Sequence, residues 1–211
     1  MIILPAEILT NDGWKDIKDL NIINNKICIF NPQQNFLYYE KPLGIYIQPV
    51  HFQCVQLQNS QSCFFLDEGH RRDFVNIAPR INNVQCGSAE SYSSYHFCNN
   101  ATYEQCLTAV KKLFKIDSSE YNPEMSGMFK PANMEVANMA QWLCVHAGLK
   151  CSIRCDLTGI TCSLSDEDVT ATMYGKVKKY GVNITTTTGH YVVRVCSQSN
   201  LCECIYSTFV V

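Results

Sequence analysis

Residues 1–20 read Met1-Ile-Ile-Leu-Pro-Ala-Glu-Ile-Leu-Thr-Asn-Asp-Gly-Trp-Lys-Asp-Ile-Lys-Asp-Leu20. Ile2 to Thr10 is apolar and extended, and Asn11-Asp12-Gly13 is a tight turn of the hairpin type, so the chain is expected to open as a β-hairpin. The same texture continues outward. Extended runs cover Lys26 to Phe30, Phe36 to Tyr39, Leu43 to Ile47, Phe52 to Leu57 and Cys63 to Leu66. Asn31-Pro32-Gln33-Gln34 and Gln58-Asn59-Ser60-Gln61 punctuate them as turns. Many short strands with few helices predict a twisted antiparallel sheet or barrel.

The composition shifts near Ser88. Thr102-x-x-Gln105 is a capping box, followed by Tyr103, Leu107, Val110 and Phe114 at helical spacing. A Pro/Met/Gly segment from Asn122 to Pro131 breaks that helix. The next has the stripe Val136, Met139, Ala140, Leu143 and Ala147, with Asn133 as N-cap and Gly148 just past its end. Strands are expected over Lys150 to Cys155 and Gly159 to Leu164. Ser165-Asp-Glu-Asp168 then predicts a third helix through Val169, Met173 and Val177, ended by Gly181, with acids at its start and Lys176, Lys178 and Lys179 at its end. Tyr191 to Cys196 and Cys204 to Val211 return to strand. The fold class expected is mainly β with an α insertion (α+β). A β module formed by residues 1–87 and 182–211 is interrupted by a small α/β subdomain, residues 88–181.

Composition narrows the function classes. The 211 residues are 46% apolar and 11% aromatic, which excludes a disordered chain. A net charge of -2 argues against nucleic acid held by overall charge, and no basic face stands out in residues 91–180, where the lysines and arginine are offset by acids. No apolar run approaches the roughly 20 residues of a membrane-spanning helix. Glu7, Asp12, Lys15 and Asp16 make the opening neither a signal nor a transit peptide.

Thirteen cysteines, an odd number, are expected as free thiols in a reducing, intracellular compartment. A structural zinc site needs paired ligands two to four residues apart, twice over. Cys151-x3-Cys155, His96-x-Cys98, Cys144-x-His146 and Cys202-x-Cys204 do not supply that pattern, and Cys144 and His146 are expected on different helix faces. No metal or cofactor is expected.

The opening block Ile8 to Leu20, the block Phe64 to Arg71 and the block Ile184 to Arg194 together resemble the hedgehog/intein (Hint) autoprocessing family. Ile8-Leu9-Thr10, Asp12-Gly13, Ile17 and Leu20 match its opening "V-L-T-x-D-G-x-x-x-I-x-x-L" pattern. Phe64-Phe-Leu-Asp67-Glu-Gly-His70-Arg71 is similar to its second block, a strand ending in T-x-x-H. Ile184-Thr-Thr-Thr-Thr-Gly-His190-Tyr-Val-Val-Arg194 is similar to its closing T-G-x-x-x-V-R strand. An insertion, often a homing-endonuclease remnant, is common in inteins and phage-borne relatives, and Ala132 to Cys155 looks like such a half-unit.

The resemblance implies a set of roles. A residue-1 thiol attacks the preceding carbonyl in an N-to-S acyl shift, His70 protonates the leaving amide, and Asp67, in the family's Thr position, orients it. His190 assists at the C-terminal side, and Asn200 stands in for the terminal Asn that cyclises. Met1 occupies the nucleophile position, and a thioether has no proton to lose, so as written the module is expected to be inactive or impaired. Its partner would be a flanking host polypeptide. Two alternatives stand beside this. One is a non-catalytic, viral-type binding protein on a Hint-like scaffold with an unidentified protein partner. The other is a thiol hydrolase pairing Cys54 or Cys63 with His70 or His190.

Overall fold

Thr10 and Gly13 pair across a two-residue loop, and the Thr10 hydroxyl donates to the Gly13 carbonyl at 2.7 Å. Gly13 sits at φ 103°, a conformation open to glycine, so the Asn-Asp-Gly triplet can close the turn. This hairpin lies at the centre of a computed structural model. The structure describes residues 2–3, 5–34, 36–50, 53–58, 63–67, 83–84, 101–116, 127–164, 170–176, 179–200 and 203–210.

The elements run β1 (Ile2–Ile3), β2 (Glu7–Thr10), β3 (Gly13–Asp16), a 3-10 turn (Ile17–Asp19), β4 (Ile27–Asn31), β5 (Phe36–Glu40), β6 (Gly44–Val50), β7 (Gln53–Gln58), β8 (Cys63–Asp67) and β9 (Asn83–Val84). Then come α1 (Tyr103–Phe114), β10 (Met128–Phe129), α2 (Met134–His146), β11 (Cys151–Asp156), β12 (Gly159–Leu164), β13 (Thr170–Lys176), β14 (Lys179–Thr185), β15 (Val192–Asn200) and β16 (Glu203–Val210). The chain is therefore mainly β with two helices among the described residues. Neither helix is long and apolar enough to cross a membrane.

One sheet has the order β13-β7-β8-β1-β14-β6. The larger has β10-β12-β11-β16-β15-β2-β4-β5-β9, with β3 on β2. Strand alternation separates two cores. Ile8, Ile27, Ile29, Val193 and Val195 face Ile2, Val182 and Ile184 of the smaller sheet. Their neighbours Leu9, Cys28, Phe30 and Val192 face the other way, onto α1 and α2. The order of layers is sheet, sheet, helices, and the central strands are buried on both faces.

Both helices end as their sequences direct. Thr102 and Gln105 exchange the two capping-box bonds, at 2.8 and 3.2 Å. Asn133 caps Val136 at 3.0 Å. Gly148 at φ 68° lets its own N–H reach Val145 and that of Leu149 reach Cys144, which satisfies two terminal carbonyls. The expected single stripe on α2 is only half of what is found. Val136 and Met139 are half-exposed, whereas every residue from Ala140 to Ala147 is buried, because the larger sheet and α1 enclose its C-terminal half. Cys144 and His146 are accordingly both buried. Burying Trp142 and Leu143 contributes about 1.5–3 kcal/mol each.

The third helix expected after Ser165 is not formed over the described residues. β13 and β14 occupy that stretch, β13 antiparallel to β7 and β14 between β1 and β6. Residues 165–169 and 177–178, Val169, Val177 and Lys178 among them, lie outside the described residues. Gly175 sits at a register shift in β13, where an interior glycine accommodates a bulge. The segment 88–181 is not a sheet to itself: β11 continues the larger sheet through β16, and β13 joins the smaller sheet through β7.

Candidate functional site

The residues singled out by the resemblance fall in three places. Met1 and His70 lie outside the described residues. Around them the backbone is defined. β1 is inserted between β8 and β14, with Ile2 opposite both Leu66 and Val182. Asp67 is the last residue of β8, opposite Cys54 of β7, and Cys63 is the first, opposite Gln58. The strand start at residue 2 and the strand end that leads toward residue 70 thus lie side by side.

His190 stands elsewhere, in the turn from Thr186 to His190. Thr188 holds this turn to β4: its hydroxyl donates to the Phe30 carbonyl at 2.8 Å, while the Phe30 N–H donates to the His190 carbonyl at 3.2 Å. The imidazole Nδ1 lies 2.9 Å from the Thr188 carbonyl, which can only accept, so Nδ1 carries a proton. Asn200 ends β15 opposite Glu203. The nine residues of β15, about 30 Å at the usual rise per residue, carry the chain from the His190 turn to Asn200. These two residues are not brought together.

Two constellations that the sequence did not advertise occupy the helix side of the larger sheet. The first centres on Arg194, 2% exposed. Its Nε donates to Glu7 at 2.6 Å, and one terminal nitrogen donates to Asn138 at 2.7 Å and Gln141 at 3.0 Å. The guanidinium lies over the Trp14 and Tyr206 rings at 4.7 and 4.9 Å. The Gln141 amide then donates to the carbonyls of Cys151 and Tyr206. One buried cation therefore ties β2, β15 and α2 together, and Gln141 carries the link on to β11 and β16. The legible signal was a polar pair three residues apart, Asn138 and Gln141, among the apolar residues in the middle of the helix.

The second constellation is Tyr39, Trp142 and His146. Trp142 Nε1 donates to the Tyr39 hydroxyl at 2.9 Å, and that hydroxyl lies 3.1 Å from His146 Nε2. His146 Nδ1 lies 3.0 Å from the Trp142 carbonyl, so the ring is a neutral Nδ1–H tautomer that accepts from Tyr39. The imidazole stacks on Trp142 with centroids 3.7 Å apart. Burial lowers its pKa to about 4, against a smaller opposing effect from the Trp142 carbonyl. Each polar atom in this ring is matched, which is the signature of a satisfied core.

Neither described histidine has a thiol partner: His190 bonds to Thr188, and His146 to Tyr39 and Trp142. The cysteines named for a thiol hydrolase, Cys54 and Cys63, are described only as backbone positions in β7 and β8. Among the described residues, no group of three or more potential ligands is placed to hold a metal ion. Compared with protein-family models, curated proteins and solved structures, the chain matches none.

Proposed function

We propose that the chain is a self-processing module of the hedgehog/intein kind, impaired as written because Met1 fills the nucleophile position. The observation that carries this reading is the insertion of β1 between β8 and β14, with Ile2 opposite Leu66. A module that cuts the peptide bond before residue 1 needs that residue held within the fold, beside the strand that presents its acid. With a thiol at position 1, the sulfur attacks the preceding carbonyl, the amide nitrogen leaves with a proton from His70, and Asp67 orients the bond. His190 and Asn200 stand at opposite ends of β15 and do not act on one bond, so the proposal rests on the N-terminal step alone.

The test is a Met1→Cys variant fused behind a reporter domain and incubated with a small thiol. The expected product is reporter carrying that thiol as a thioester, identified by mass, and lost on further His70→Ala substitution. No trapped thioester from a folded Met1→Cys fusion ends the autoprocessing reading.

A second reading, a non-catalytic scaffold for a protein partner, is favoured by β6, the last strand of the smaller sheet among the described residues. β6 exposes Tyr46 on one face and Ile47 on the other, at 62% and 44%, beside Leu43 at 66%. Apolar side chains on an end strand invite strand addition. Partner capture that is abolished by Tyr46→Lys, with no thioester formed, supports this reading over the first.

A further inference from the structure

Six of the eight described cysteines, all but Cys28 and Cys106, form two groups on the helix-facing side of the larger sheet. Cys144, Cys151 and Cys162 are buried in the core, where the Cys151 thiol donates to the Ser152 carbonyl at 3.8 Å. Along the same face toward the start of α2, where the Cys155 thiol contacts the Met134 sulfur at 3.9 Å, lie Cys155, Cys204 and Cys196. Cys155 and Cys204 are partly exposed and Cys196 is exposed. A reagent in solution can meet the outer trio and not the inner one.

Register decides which of the outer thiols can join. Cys155 is directly opposite Cys204 in the antiparallel ladder of β11 and β16. Such residues project to one face with Cα atoms about 4.5–5.5 Å apart, inside the span of about 4.4–6.8 Å that disulfides bridge. Cys196 is opposite Tyr206, while Cys204 is opposite Gln198, so Cys196 and Cys204 are diagonal neighbours whose thiols hydrogen-bond. Diagonal Cα atoms are about 7–8 Å apart, beyond easy bridging.

We propose that Cys155 and Cys204 form a cross-strand disulfide site, closed by exchange with a low-molecular-weight disulfide. This inference is independent of the self-processing reading. The Cys204 thiolate attacks one sulfur of the small disulfide, forms a mixed disulfide and expels a small thiolate. The Cys155 thiolate then attacks the Cys204 sulfur and expels the second small thiolate. Two protein thiols are oxidised and one small disulfide is reduced to two thiolates, which take up, through solvent, the two protons that the protein thiols released. Burial first, and the neighbouring Cys204 second, raise the Cys155 thiol pKa, so exchange is slow at neutral pH and faster in alkali. That is the behaviour of a staple set by a lasting oxidising environment rather than of a rapid peroxide sensor. It pins β11, from the middle of the chain, to the C-terminal strand β16.

The test uses the full chain, reduced, freed of reductant and incubated at pH 8.5 with oxidised glutathione. Remaining thiols are alkylated, and non-reduced peptides are sequenced by tandem mass spectrometry. The expected result is a Cys155–Cys204 link with Cys196 alkylated. Closing a loop of about 50 residues also raises Tm by roughly 5 °C or more, reversibly by dithiothreitol. Cys204 left alkylated, carrying only glutathione, or linked to Cys196 overturns the proposal. So does an equal oxidant-induced rise in Tm in a Cys155→Ser variant. The peptide map of the unmodified chain decides the matter even if that variant does not fold.

Discussion

At the scale of single residues, His146 and Arg194 are two buried polar groups with opposite consequences for pH and for mutation. His146 titrates near 4 in the folded chain against an ordinary 6.5. Between those values the unfolded state takes up a proton that the folded state refuses, so stability is retained above pH 6.5 and lost as pH falls toward 4. The expected loss from this group at pH 4.5 is about 2–3 kcal/mol, from about 1.4 kcal/mol per pKa unit. Urea unfolding at pH 7 and 4.5 measures it, and a His146→Phe variant should show a drop smaller by that amount. Arg194 is different: its charge is permanent and its partners are fixed. Arg194→Met leaves Glu7, Asn138 and Gln141 without their donor, at an expected cost of about 3 kcal/mol in urea unfolding. Arg194→Lys should recover little, since one ammonium does not reproduce a planar fork with donors in two directions. Wild-type stability for the lysine variant would refute that account.

At the scale of elements, local chemistry foretold what local forces control. The capping box of α1, the Asn133 cap and the Gly148 terminator of α2 stand where their residues place them. α1 ends on Lys115 at φ 55°, left-handed backbone that costs a side-chain-bearing residue about 1–2 kcal/mol. Lys115→Gly is therefore expected to raise thermal stability, by about 0.5–1 kcal/mol after the entropy glycine adds to the unfolded chain. An unchanged or lowered Tm would show that the strain is relieved in some other way. The stretch after Ser165 misled for a physical reason. Val169, Met173 and Val177 have helical spacing, but seven-residue stretches such as Thr170 to Lys176 also suit a strand, and pairing with β7 outweighs weak helical preference. The acids before it and lysines after it favour a helix dipole, yet they equally suit the ends of a strand at a sheet edge.

At the scale of the whole molecule, the two sheets and the helical layer are joined across the segments that the sequence divides. β11 depends on β16, β13 on β7, and α2 on Arg194 of β15. A polypeptide of residues 88–181 alone would leave those edges unpaired and Asn138 and Gln141 without their cation. It is expected to give an undispersed amide NMR spectrum, and a dispersed one would make it an autonomous domain. The candidate site is legible in parts only. Sequence pattern marked His70, His190 and Asn200, but the length of β15 that keeps His190 from Asn200 is a property of the ladder, and one-dimensional spacing carries no such distance. By itself, the sequence determined most of the strands before Ser165, the hairpin turn, the caps of both helices and the lack of an ionisable proton at Met1, because each depends on a residue and its near neighbours. Only the tertiary structure decided the strand order, the Arg194 hub, the neutral His146 and the pairing of Cys155 with Cys204. Those arise from contacts between residues up to nearly two hundred positions apart, whose register is set by burial on two faces at once.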